Sequence, residues 1–193
     1  MIFAVLEDLA RVTADTADEQ LKLPTPSGDF TVADVRRHLT GGLTYFEAAF
    51  RDPDADDRGE DPHAYTGPDN LPAVIPQLSV TLRSALENGM GGREVKVLEL
   101  GGVFPGAMVV DLLLIEAFTH GWDLARALDR PWEPDPAISE HTLAVFQNVI
   151  RPEFRGPGMA FAEEFPVGPQ ASAVERAVAF AGRDPYWEPR VQG

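Results

Sequence analysis

Cysteine is absent from the 193-residue chain. That excludes disulfides, thiolate nucleophiles and Cys-ligated zinc, so any metal must be held by histidine, carboxylate or water. Histidine is itself scarce: the four are His38, His63, His120 and His141. Basic residues are outnumbered, with 16 Lys and Arg against 31 Asp and Glu, for a formal net charge of −15. A surface of that sign repels phosphate, so no nucleic-acid or anionic-membrane partner is expected. No uninterrupted apolar run approaches the roughly 18 residues of a membrane span. The start, Met1-Ile-Phe-Ala-Val-Leu, has neither the cationic residues nor the small-residue cleavage site of a secretory leader. A cytoplasmic protein is therefore expected. No repeat of solenoid period is present.

What the chain does have is enough apolar residues, 44% against 24% charged, to build an ordinary globular core. Its length suits one domain over residues 1–193. A first helix is predicted over 2–21, with Val5, Leu6, Leu9, Val12 and Leu21 on one side, ended by Pro24 and Pro26. Thr31 and Asp34 form a capping-box variant opening a second helix over 32–51. Its stripe runs through Val35, Leu39, Leu43, Phe46 and Phe50, with His38 on the border. Residues 51–70 are acidic and rich in Pro and Gly, which predicts a surface loop with His63 exposed in it.

A third helix follows over 71–88, which Pro76 either trims or kinks. Glu94 to Leu100 alternates as a short strand would. With nothing evident to pair with, it reads as an extended connector ending at Gly106. Two more helices are predicted over 107–128 and 136–150, the second carrying His141 on its surface. Residues 151–171 read as loop, and Ser172 with Glu175 caps a short helix to Ala181. Residues 183–193 read as a tail packing on the body. Four long helices, one or two short ones and almost no strand signal predict an all-α four-helix bundle.

The stretch Val109 to Leu128 is the most apolar helical run, yet it carries ionisable groups on one side. At about 100° per residue, Glu116 and His120 lie about 40° apart, with Asp123 beside them. Left without partners, each would cost several kcal/mol to bury. Spacing alone leaves two readings open. The groups share a ligand, or the face is exposed and Glu116 simply pairs with His120 at (i, i+4).

Glu116-Ala-Phe-Thr-His120-Gly-Trp-Asp-Leu-Ala-Arg126 resembles the signature helix of the DinB/YfiT-like superfamily. The branch is that of mycothiol-dependent maleylpyruvate isomerase-like metal-binding proteins. Thr31 to Leu39, Phe104-Pro-Gly106 and Ala181-Gly-Arg-Asp-Pro-Tyr-Trp187 are similar to the same family. The resemblance implies a four-helix bundle of DinB/YfiT type holding a divalent metal, zinc or nickel, at one end of its core. The positions matching the family's ligands are His38, Glu116 and His120. A three-histidine variant would have to recruit His63 or His141. Asp123 then reads either as acceptor for the free N–H of a ligand imidazole or as partner of Arg126 or Arg130. Trp122 reads as core or as a cofactor-binding pocket wall. Gly41-Gly42 reads as space beside the metal or as a close helix contact. In the isomerase a separate C-terminal domain supplies a catalytic arginine. This chain leaves no room for one after Trp187, so maleylpyruvate isomerisation itself is not expected.

The expected function is a metal-dependent enzyme, such as an S-transferase, using mycothiol or another low-molecular-weight thiol as nucleophile toward a small-molecule electrophile. The rival is a non-enzymatic metal-binding or ligand-sensing bundle with a structural metal and a closed, four-ligand shell. A third possibility is a metal-free hydrogen-bonded cluster. Family analogy extends to a homodimer through bundle faces.

Overall fold

The structure is a computed structural model describing residues 1–56, 61, 64–97, 101–159 and 161–189. Six helices carry it: α1 (Ile2–Thr13), α2 (Val32–Arg51), α3 (Leu71–Glu87), α4 (Gly106–Ala127), α5 (Pro136–Val149) and α6 (Ala173–Phe180). Helices α1 and α2 each pack on both α3 and α4, which makes the four-helix bundle. Helix α5 lies on α4, and α6 on α5. The shared core runs from Val5, Leu6 and Leu9 through Leu39 and Leu43 to Leu78, Leu82, Leu113 and Leu124, all fully buried. Phe118 joins α4 to α5 by edge-on contacts with Trp132 and Phe146, at 5.8 and 6.3 Å between centroids. Among the described residues no helix is long and apolar enough to cross a membrane.

The caps read from sequence form as expected. Asp34 N–H donates to Thr31 Oγ1 at 3.3 Å, and Thr31 N–H donates to Asp34 Oδ2 at 3.0 Å, satisfying two backbone donors at the start of α2. Ser172 and Glu175 do the same for α6. Pro76 is carried inside α3 with its ring on the exposed side.

Two expectations are corrected. The first helix stops at Thr13 instead of reaching residue 21, and Leu21 sits in a separate one-turn 3₁₀ helix, Gln20–Lys22. The stop is made by distant residues. Arg36 Nη1 donates to Thr13 O at 2.8 Å, and Arg130 Nη1 donates to Val12 O at 2.5 Å and also to Ala14 O. Two guanidiniums thus take the last carbonyls, and Asp15 turns away with φ of 47°.

The second correction concerns the connector, which is a β-hairpin. Strand β1 (Glu94–Val97) pairs antiparallel with β2 (Gly102–Pro105), in register Val95↔Phe104. Val95 and Val97 turn inward, and the segment read as loose connector supplies the missing partner strand. The hairpin runs directly into α4 at Gly106, whose N–H donates to Arg93 O at 2.7 Å. A Cβ there would lie 2.1 Å from Met90 O, so only glycine fits.

The start of the acidic 51–70 segment, residues 53–56, is pinned to that hairpin, while its end is tied to α2 by Asp69 with Arg36 and Asn70 N–H with Thr40 Oγ1. Asp54 pairs with Arg93 at 3.0 Å, Asp56 with Lys96 at 2.6 Å, and Lys96 N–H donates to Pro53 O. Residues 57–60 and 62–63, His63 included, lie outside the described residues.

Candidate metal centre

Helices α2 and α4 bring three donors together where they pack. His38 Nε2 is 2.8 Å from Glu116 Oε1, and His120 Nε2 is 3.9 Å from Glu116 Oε2. The two imidazoles cross edge-on, 4.9 Å between centroids. One donor atom from each of His38, Glu116 and His120 falls within 4.8 Å of the others, and all three side chains are half-buried. Gly42, one turn beyond His38, leaves the room the carboxylate occupies. A Cβ there would lie 3.3 Å from Glu116 Oε1.

Asp123 sets the orientation of one ring. It is fully buried, and its Oδ2 is 3.0 Å from His120 Nδ1. With the ionised carboxylate accepting from Nδ1–H, His120 Nε2 is left as an acceptor pointing toward Glu116. When the ring is neutral, its Nε2 and the Glu116 carboxylate face each other as two acceptors, 3.9 Å apart. A cation is the complement to that pair, and two imidazoles with one carboxylate are donors that suit Zn²⁺ or Ni²⁺. The residues therefore fit a divalent metal.

Charge balance around the cluster has clear physical causes. Burial opposes the ionised form of Asp123, but the Arg183 guanidinium and the His120 hydrogen bond outweigh it and hold its pKa below the ordinary carboxylate value. Burial likewise opposes a charged His38, yet its hydrogen bond and attraction to Glu116 win, so its pKa is raised.

Arg183 lies in the Ala181–Trp187 motif, but sequence reasoning gave it no role. Asp123 does not bridge to Arg126 or Arg130. Its guanidinium partner is Arg183, with Nε donating to Oδ1 at 3.1 Å and Nη2 to Oδ2 at 3.0 Å. Arg126 instead donates to Trp187 O at 2.7 Å, tying down the C-terminal turn, and Arg130 caps α1. The available signal was Gly182, which has φ of +83° and would place a Cβ 2.7 Å from Ala162 O. A glycine obliged to be there fixes the residue after it.

Trp122 is 4% exposed and belongs to the hydrophobic core. Two positions past His120, it lies about 200° around the helix from that histidine, which gives it a packing position. His141 is exposed on α5, apart from the cluster. Phe30 sits at the edge of the site, 44% exposed, with its ring 6.5 Å from that of His38. Two surface hollows, of about 470 and 450 Å³, lie elsewhere, beside α3, and no cluster residue lines them.

Residues 2–125 match the family described as "Mycothiol maleylpyruvate isomerase N-terminal domain". The matched stretch holds all three donors and Asp123, and ends before Arg183. An uncharacterized protein of Mycobacterium tuberculosis strain H37Rv, and another from strain CDC 1551, are each 32% identical over 185 residues, covering 94% of this chain and 91% of theirs. No solved structure matches the chain.

Proposed function

The chain belongs to the mycothiol maleylpyruvate isomerase N-terminal domain family, a DinB-like family, and from that premise we propose that it is a divalent-metal enzyme using a small thiol such as mycothiol. In this reading His38, Glu116 and His120 are the protein ligands of zinc or nickel. The observation that carries the reading is the pair of His120 contacts, Nδ1 to Asp123 at 3.0 Å and Nε2 toward Glu116.

A bound divalent metal would supply a Lewis-acid position at which a thiol is held as thiolate at neutral pH. The chain's own residues do the rest. Asp123 holds His120 in the tautomer that offers Nε2, and Gly42 makes space for the Glu116 carboxylate. Half-burial of the three donors limits water around them. Asp123 is occupied by His120 and Arg183, so it is not the fourth ligand that a closed structural site would need. Among the described residues the cluster offers three protein ligands with a position left over, the pattern of catalytic zinc, which favours an enzyme over a structural metal. With no cysteine in the chain, the nucleophilic sulfur would come from the cofactor.

The test has two stages. Metal analysis of the untagged protein should find about one divalent ion per chain, lost in His38→Ala/His120→Ala. Mycothiol should then bind the metal-loaded protein by calorimetry and bring a sulfur-to-metal charge-transfer band to the cobalt-substituted form. Metal without any thiol effect on heat or spectrum removes the thiol chemistry. Absence of metal after reconstitution with zinc and nickel removes the whole reading.

A further inference from the structure

Arg183 is only 9% exposed, and it reaches the cluster from a turn beyond the family-matched segment. Its contacts lead to His120 through one residue, Asp123, and to His38 through two, Ser27 and Phe30. Toward His120, it grips both oxygens of Asp123, at 3.1 and 3.0 Å, and Asp123 accepts from His120 Nδ1 at 3.0 Å. Toward His38, Nη2 donates to Ser27 Oγ at 3.3 Å. Ser27 belongs to a tight loop in which Phe30 N–H donates to Ser27 O, and Thr25 N–H and Oγ1 both donate to Phe30 O. That loop places the Phe30 ring edge-on to His38.

A two-point grip by a planar guanidinium fixes the rotation of a carboxylate as well as its charge. The rotation matters here because only one Asp123 oxygen faces His120. A carboxylate free to turn, or one neutralised, would let the imidazole take either tautomer or flip. The arginine also feels the charge of Glu116 directly, but its hydrogen bonds, which set geometry, go to Asp123 and Ser27.

We propose that Arg183 is a positioning residue of the metal centre. By clamping Asp123 it locks His120 in the Nδ1–H tautomer with Nε2 facing Glu116, and by holding Ser27 it seats the loop that packs on His38. The C-terminal turn therefore completes a site whose donors all lie in the N-terminal part of the chain. The proposal rests on the metal reading of the cluster, and one arm of its test does not.

The experiment compares wild type, Arg183→Met and Arg183→Lys in the full chain. In metal-free protein, at a pH where the imidazoles are neutral, ¹⁵N NMR of the His120 ring reports the tautomer directly. Wild type should show the Nδ1–H form, and Arg183→Met a mixture. In the second arm, zinc titration against a chromogenic chelator should show a loss of about 10- to 100-fold in Arg183→Met. Arg183→Lys, able to hold one oxygen only, should fall between and recover part of both signals. A purely structural tie would lower the melting temperature while leaving tautomer and zinc affinity of the folded protein unchanged, and that outcome overturns the proposal. Should Arg183→Met not fold, Arg183→Lys is judged on the same two readouts, and wild-type values in both overturn it. If wild type binds no zinc, the metal reading fails and the tautomer arm alone decides whether Arg183 positions His120.

Discussion

Gly42 on α2 stands against the Glu116 carboxylate of α4, close enough that an added Cβ would lie 3.3 Å from Oε1. Stability and metal affinity should therefore respond to Gly42→Ala with opposite signs. Alanine in a helix interior is favoured over glycine by about 0.5–1 kcal/mol, and the carboxylate can give way by a few tenths of an ångström. Urea unfolding of the metal-free variant should show unchanged or slightly raised stability. Zinc titration should show several-fold weaker binding, because Glu116 moves relative to both imidazoles. Unchanged zinc affinity would mean that the glycine serves helix packing alone.

The start of α2, which carries His38, depends on its cap. Thr31→Ala should cost about 1 kcal/mol, within the usual 0.5–2 kcal/mol for a lost N-cap. The reciprocal partner adds a pH dependence. The Thr31 side-chain hydrogen bond, then the Thr31 backbone N–H, hold the pKa of Asp34 below the ordinary carboxylate value. A folded pKa below the unfolded one adds stability that is fully present above the unfolded value, about 3.9, and lost as pH falls through the folded value. The stability gap between wild type and Asp34→Asn should therefore be widest near neutral pH and shrink in acid. Denaturant midpoints measured across that range check the trend, and a gap that grows in acid contradicts it.

Asp123 and Arg183 are both buried, so removing one strands the other. Asp123→Ala leaves a guanidinium in the interior without its carboxylate, which should cost about 3–5 kcal/mol. Replacing the pair together, Asp123→Leu with Arg183→Met, should cost clearly less than the sum of the single changes, with a coupling of about 0.5–3 kcal/mol. Urea unfolding of the four proteins closes the cycle. Additive costs would show that the ion pair is not a unit.

How much of this was legible in the sequence follows from how local each cause is. The start of α2 was readable because Thr31 and Asp34 act on the backbone within one turn. The donors on α4 were readable because Glu116 and His120 recur at helical spacing on an apolar run. His38 was assigned through the family resemblance, and its approach to Glu116 exists only once α2 lies on α4. The end of α1 was not readable, since Arg36 and Arg130, remote in the chain, terminate it. Nor was the hairpin, because Glu94–Val97 looks unpaired until Gly102–Pro105 folds back on it. Asp123 had two visible arginine candidates, Arg126 about one helical turn away and Arg130 about two. Its actual partner, Arg183, is 60 residues distant, and no periodicity connects them.

If the three donors hold the metal, ligand binding should appear as heat stability confined to proteins with an intact cluster. A ligand that binds only the native state adds RT ln(1 + [L]/Kd), about 2.7 kcal/mol when free ligand is 100 times Kd. For a chain of this size each kcal/mol moves the melting temperature by about 2–4 °C, which gives a rise of roughly 5–11 °C. Zinc should produce that rise in wild type, and a chelator should reverse it. Glu116→Gln keeps the side chain's size and polarity but removes the charge that a cation needs, and His120→Ala removes a donor, so both should melt at the same temperature with and without zinc. The competing explanation is loose binding along the acidic 52–61 segment, which every variant retains. A rise that persists undiminished in Glu116→Gln and His120→Ala would assign the metal to that segment and take it away from the α2–α4 cluster.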